Sequence, residues 1–297
     1  MARAIELPAW PGGAQVAVCL TFDVDAEAPW LAQSPDYARR LSTLSEGRYG
    51  VVRALPRILE LLRRHVVKAT FYVPGSTAER HPDGVRSIVS DGHEVSHHGH
   101  FHLRTHQLDA DAQRAEMEQG LEALARIAEC TPRGYRSPAW ELTPETFSLL
   151  LEHGFNYDSS CMGDDRPYLE QLDGDAILEL PVHWSLDDWP YYGWSVEAGG
   201  NLFPSSAWLE SWLAEFDSAL RERRLVTYTM HPEVVGRGYR FIALERLMDE
   251  LRARAKVWFA THAEVAALCG PGPSPALGAT ERQHQDRGQQ RQPDAYP

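Results

Sequence analysis

Val16-Ala-Val-Cys-Leu-Thr-Phe-Asp-Val-Asp25 is the stretch on which the fold class turns. Val16 to Phe22 is an apolar, β-branched run that reads as a buried strand, and it stops abruptly at Asp23-Val24-Asp25, leaving carboxylates at a strand's carboxyl end. The pattern then changes period. Leu55, Ile58, Leu59 and Leu62 recur at helical spacing, followed by a second strand at Ala69 to Val73 and a break at Pro74-Gly75. Further helices are expected around Met117, Leu121, Leu124 and Ala128, and around Phe147, Leu150 and Leu151, between a Thr143-Pro144 start and a Gly154 stop. Two more follow from the stripes Leu209, Trp212, Leu213, Phe216, Leu220 and Leu244, Leu247, Met248, Leu251. Strand candidates at Leu178 to Leu180, Leu225 to Met230 and Val257 to Ala260 lie between them. Such alternation implies an α/β fold with a mainly parallel sheet covered by helices, either doubly wound or a barrel, with active residues at the carboxyl ends of strands. Ala26 to Gly50 reads as a long connection of weak periodicity, of the kind that often covers a site.

The 297 residues, 43% hydrophobic and 24% charged, suffice for a sizeable core. We expect one catalytic domain over 1–269 and a disordered tail over 270–297, where Gly, Pro, Gln, Arg and Asp replace apolar residues. A formal net charge of −13 repels phosphate backbones and anionic membrane surfaces, so neither nucleic acid nor membrane is an expected partner. Cys19, Cys130, Cys161 and Cys269 form no CxxC pair and read as buried thiols. The amino terminus lacks a basic segment followed by a long apolar one, which predicts a cytoplasmic protein.

Six of the 13 histidines fall between His93 and His106. Imidazole is the commonest protein metal ligand, and a chelating pair needs a short, fixed separation. His98 and His102 would share one side of a helical turn; His98 with His100, or His100 with His102, would chelate from an extended segment. The competing reading is a polar surface loop or a few hydrogen-bonded core histidines. Asp23 and Asp25, one residue apart, face the same way on an extended backbone, so one can ligate while the other stays free. His231 follows the strand Leu225 to Met230 and is placed to act as a general acid. Arg136 can keep a free aspartate ionised. Pro181-Val-His-Trp-Ser-Leu-Asp-Asp-Trp-Pro190 sets indoles beside carboxylates, a composition suited to the apolar faces of a polar organic ligand. Each feature alone is more often structural; their joint occurrence is the signal.

Thr21-Phe-Asp-Val-Asp25, His97-His-Gly-His-Phe-His102, Arg136-Ser-Pro-Ala-Trp140 and Thr229-Met-His-Pro232, in this order, resemble the polysaccharide deacetylases with a NodB homology domain, over roughly residues 15 to 268. The resemblance implies a distorted (β/α) barrel, one divalent metal, usually zinc, and hydrolysis of N-acetyl groups on amino sugars. By position, it makes Asp23 the base, Asp25, His98 and His102 the metal ligands, Arg136 the residue that orients the base and His231 the general acid, oriented by Asp187 or Asp188. Where secreted members have adjacent aspartates and a serine or threonine after the first metal histidine, this chain has Val24 inserted and Gly99. Those departures resemble a branch without signal peptides that includes a peptidoglycan deacetylase, cyclic imide hydrolases and allantoinases, and that branch implies a homo-oligomer. Trp30, Trp140, Trp184 and Trp189 are the candidate walls for a sugar face or a small planar ring. The donor set also accepts cobalt, iron or nickel. The alternatives to an amino-sugar deacetylase are a cyclic imide or allantoin-type hydrolase and a saccharide-binding protein without turnover.

Overall fold

The computed structural model describes residues 3–195, 199–200 and 202–270. Strand β1 (Val16–Asp23) is buried at every position; covered on both faces, it has no reason to alternate polar and apolar residues. It is the hub of the sheet. Along one side its carboxyl-terminal end pairs with β2 (Thr70–Val73) and its amino-terminal end with β9 (Val257–Phe259), while its other side pairs with β8 (Leu225–Met230). From β2 the sheet continues in parallel through β3 (Glu94–His97), β4 (Gly134–Tyr135), β5 (Tyr157–Asp158) and β7 (Asp175–Glu179). Antiparallel β6 (Tyr168–Leu172) and the strand Arg3–Ala4 complete that edge. A parallel bridge between Asp187 and Thr229 brings the chain beyond β7 back to β8. The result is a distorted (β/α) barrel.

The register aligns Met230 with Phe22, Asp23 with Tyr72, Val73 with His97 and Tyr135 with Asp158. The loops carrying Asp25, His98, Arg136 and His231 therefore leave the sheet along one rim, as parallel strands require.

Helix α1 (Leu55–His65) buries Ile58, Leu59, Leu61 and Leu62 and ends at Val66 in the left-handed conformation. Next come α2 (Gly75–Arg80), α3 (Pro82–Ser90) and α4 (Ala110–Ala128), the last capped by the Asp109 side chain. The Thr143-Pro144 signal starts α5 (Pro144–Glu152), with the Thr143 hydroxyl accepting from the Thr146 amide. The two leucine-rich stripes form α6 (Ser205–Glu222) and α7 (Gly238–Arg254), and α8 (His262–Cys269) opens with a capping box of Thr261 and Glu264. Helix α6 locks onto β8 through Trp212, which stacks on Tyr228 at 4.7 Å and whose carbonyl accepts the Tyr228 hydroxyl at 2.9 Å.

Three expectations change. Ala26 to Gly50 is not irregular: it holds helices Ala28–Gln33 and Leu41–Tyr49, and a π-helical turn, Gly50–Ala54, runs it into α1. Helical period was obscured there because the segment packs in short pieces. Strands β3, β4 and β5 were unforeseen, since two to four residues are too few to establish a period. Of the free cysteines only Cys19 is fully buried; Cys130, Cys161 and Cys269 are half-buried. The expected tail lies, from residue 271 on, outside the described residues. Among the described residues no helix is long and apolar enough to cross a membrane.

Candidate metal-dependent active site

Asp25, His98 and His102 converge, each offering one ligand atom, all within 4.8 Å of one another. His98 Nε2 is 3.5 Å from Asp25 Oδ1, and His102 Nε2 is 3.3 Å from Asp25 Oδ2. His98 Nδ1 donates to the Arg136 carbonyl at 2.7 Å, which fixes the tautomer and leaves the Nε2 lone pair facing Asp25. The buried Asp25 Oδ1 has no hydrogen-bond partner. Burial opposes ionisation of Asp25, yet His102, His98 and His231 outweigh it and hold the carboxyl well below its usual range. Burial pushes His98 down toward its neutral, ligating form. An anionic carboxylate with an unused lone pair and two lone-pair imidazoles is the donor set a divalent cation takes. The histidines are not on a helical turn: His98 follows β3 directly, and His102 is reached through Gly99 at φ +72° and itself has φ +62°. Ala26, Ala139 and Trp140 also have positive φ, so backbone strain gathers around these groups.

Asp23 is held by a wholly buried arginine. Arg136 Nη1 donates to Asp23 Oδ1 at 2.7 Å and to Thr21 Oγ1 at 3.0 Å. Arg136 Nε donates to the Ser159 carbonyl at 3.1 Å and Nη2 to Ser159 Oγ at 3.0 Å, while its guanidinium lies 4.0 Å over the Tyr72 ring. With one oxygen on Arg136, the other oxygen of Asp23 faces His98 Nε2 at 3.9 Å.

Across the site, His231 Nδ1 donates to Asp188 Oδ1 at 2.8 Å, and Asp188 also accepts the His231 amide at 3.0 and 3.1 Å. Asp187 Oδ1 is farther, 3.5 Å from His231 Nδ1, and accepts the Trp189 amide at 2.8 Å. Of the two aspartates left open by the sequence, Asp188 makes the orienting bond. Burial alone would lower the His231 pKa, but Asp187, Asp188 and Asp25 raise it well above the usual imidazole value. Its Nε2 faces Asp25 Oδ2 at 3.7 Å.

Asp23, Asp25, His98, His102, Asp187 and His231 line a cavity of about 770 Å³, with Arg136 and Asp188 buried outside that lining. Trp30, Trp140, Trp184 and Trp189 line it as expected, and Trp140 stacks on Trp184 at 4.2 Å. Trp30 and Trp140 are buried, whereas Trp184 and Trp189 keep 44% and 36% exposure.

A family profile described as polysaccharide deacetylase matches residues 14–157. A solved structure from Mycobacterium smegmatis, assigned as a polysaccharide deacetylase, is 39% identical, covers 89% of this chain and 93% of its own, and superposes with a TM-score of 0.85. The chain belongs to the polysaccharide deacetylase family. A Helicobacter pylori relative named peptidoglycan deacetylase is 28% identical over 85% of this chain and 95% of its own length. The Puue allantoinase structure, 22% identical with a TM-score of 0.79 over 89% of this chain and 93% of that one, shares the fold. As a member of the deacetylase family the chain is a hydrolase of carbon–nitrogen amide bonds, and metal dependence is general in that family.

Around this candidate site the structure adds further residues. Trp194, and Tyr37 from the helical connection, join the cavity wall. Ser160 Oγ accepts the Ser137 amide at 2.9 Å and, with Ser159, anchors the Arg136 strand end. No apolar run precedes Asp158-Ser-Ser160, so the sequence carried no clear signal for these serines. Glu233, two residues past His231, is 2% exposed, and neither of its oxygens has a hydrogen-bond partner. Burial, then Asp25, raises its pKa well above the usual carboxylate range, and it packs against Gly50, where a Cβ would come within 2.7 Å of it.

Proposed function

We propose that this chain removes the N-acetyl group from an amino sugar of a polysaccharide or peptidoglycan fragment, with Asp25, His98 and His102 holding one divalent cation. The convergence of these three donors between Asp23 and His231 carries the reading. When bound, the cation supplies Lewis acidity toward the amide carbonyl and the attacking water. The carboxylate of Asp23, oriented by Arg136, takes a proton from water as its oxygen bonds to the carbonyl carbon. His231, charged and fixed through Nδ1 by Asp188, gives the Nε2 proton to the departing nitrogen as the carbon–nitrogen bond breaks. Acetate and a free amine leave. The indoles of Trp140, Trp184, Trp30 and Trp189 cover the apolar faces of the substrate and restrict water.

We assign zinc as the ion, with cobalt, iron or nickel chemically acceptable, and a cytoplasmic setting, which suits a soluble precursor or fragment. A second reading, hydrolysis of a cyclic imide or ureide, is favoured by the Trp140–Trp184 stack, whose flat face suits a small planar ring. The deciding experiment is a hydrolysis panel of N-acetylglucosamine oligomers, muropeptides, succinimide, hydantoins and allantoin, with and without chelator. Chelator-sensitive release of acetate supports the deacetylase; turnover confined to ring compounds overturns it in favour of the second reading.

A further inference from the structure

The two candidate metal histidines lie four residues apart on a turn with no regular structure of its own, between the end of β3 at His97 and a helical turn starting at Thr105. Two left-handed residues, Gly99 and His102, shape it, so its geometry must be imposed from outside. Its carbonyls are taken by α2: Gly99 O accepts from the Gly75 amide at 3.0 Å and His100 O from the Ser76 amide at 2.9 Å. Its amides are taken from the other side by α4. Glu116 Oε2 accepts the His100 amide at 2.9 Å, and both Glu116 oxygens accept the Phe101 amide, at 3.0 and 3.2 Å. One helical step on, the Met117 carbonyl accepts His97 Nε2 at 3.0 Å. Glu116 is 8% exposed, and among the described ion pairs it has no basic partner; its carboxyl oxygens meet the amides of the turn instead. A Cβ on Gly99 would come within 3.1 Å of Glu116 Oε2, which explains the glycine.

We propose that Glu116 is the positioning residue of the metal site: a carboxylate on α4 that clamps the amides between His98 and His102 and thereby sets the separation of the two ring nitrogens. The inference rests on the reading that Asp25, His98 and His102 hold the cation. It fits the general behaviour of groups that orient ligands without touching the metal, whose loss weakens binding about 10–100-fold.

The test is a Co2+ titration of the metal-stripped full chain, reading both affinity and the visible absorption of bound cobalt, with the thermal midpoint of the metal-free protein measured separately. Glu116→Gln, equal in size but uncharged, can keep one oxygen on the two amides while its NH2 replaces the oxygen that faces the Phe101 N–H; it is expected to weaken Co2+ binding about 10–100-fold and to alter the cobalt spectrum. Glu116→Asp, which keeps the charge but withdraws it, restores part of the affinity and covers the case in which Glu116→Gln does not fold. Gln113, on the same helix, accepts the hydroxyls of Thr143 and Thr146 at 2.8 and 2.7 Å and does not touch the turn. Gln113→Ala therefore lowers the thermal midpoint while leaving Co2+ affinity unchanged. Glu116→Gln and Glu116→Asp binding Co2+ like the parent would overturn the proposal, as would Gln113→Ala weakening it equally. A parent that binds no Co2+, or a His98→Ala variant that binds it undiminished, sinks the ligand set itself and this inference with it.

Discussion

Replacing Arg136 with methionine tests whether the buried guanidinium is what permits a carboxylate at Asp23. The pair is 0% and 2% exposed, so truncating one partner strands the other charge away from water. Breaking a buried pair of this kind costs about 3–5 kcal/mol. At the roughly 2–4 °C per kcal/mol expected for a domain of this size, the thermal midpoint falls by about 6–20 °C. The four donated bonds divide into two groups. Only the Asp23 bond meets a charge; the two to Ser159 and the one to Thr21 meet neutral acceptors, and Ser159 Oγ and Thr21 Oγ1 keep other bonds, to the Leu180 and Tyr228 carbonyls. Most of the cost should therefore vanish when the charge at position 23 is removed too. The assay is urea unfolding of metal-stripped parent, Arg136→Met, Asp23→Ala and the double variant, in the same buffer, so that metal binding does not add to stability. The expected coupling is about 2–3 kcal/mol, the double variant being far less destabilised than the sum of the singles. A loss below about 1 kcal/mol for Arg136→Met, or simple additivity, would refute the reasoning.

Asp23→Asn keeps the shape and the Arg136 bond but cannot accept the water proton; kcat should fall by about 10²–10⁴ with Co2+ affinity retained, and undiminished turnover rules Asp23 out as the base. Removal of Asp188 withdraws a charge that raises the His231 pKa, so in Asp188→Ala the alkaline limb of kcat/KM moves to lower pH, because the acid must be protonated to act. Asp187→Ala, which removes another charge that raises that pKa, moves the limb the same way; a limb that stays in place in both variants in a pH–rate comparison would contradict the charged partnership. His93 is pushed down to about 4, first by burial and then by Lys68. It is neutral in the fold, while the unfolded chain binds its proton below about pH 6.5. Its contribution is therefore complete above that pH and is lost as pH falls toward 4. Denaturant unfolding should show the stability advantage of the parent over His93→Gln shrinking by about 1–2 kcal/mol between pH 7.5 and 5; a constant difference would contradict a neutral His93.

Much of the site was legible because barrel chemistry is written at strand ends. Asp23, Asp25 and His231 could be picked out since Val16 to Phe22 and Leu225 to Met230 are long apolar runs that stop at a titratable residue. Trp184 and Trp189 were legible as large apolar groups beside carboxylates in Pro181 to Pro190, while Trp30 lay in the long connection and Trp140 in the Arg136 to Trp140 motif. Glu116 was not: on a helix its buried position looks like any polar residue between Gln113 and Met117, and its role depends on a turn that comes near only in the fold.

The order of strand and helix, the residue types of the donor set and the acid and base candidates follow from local chemistry, since period, turn signals and side-chain donors are properties of neighbouring residues. Spacing alone left open which histidines pair with Asp25, a choice the family resemblance made as His98 and His102; which aspartate holds His231, and that Ala26 to Gly50 is helical, were decided by tertiary structure. These depend on angles and separations that arise only when β1, β3 and β8 align in register and the turns between strand and helix are pinned by groups distant in sequence.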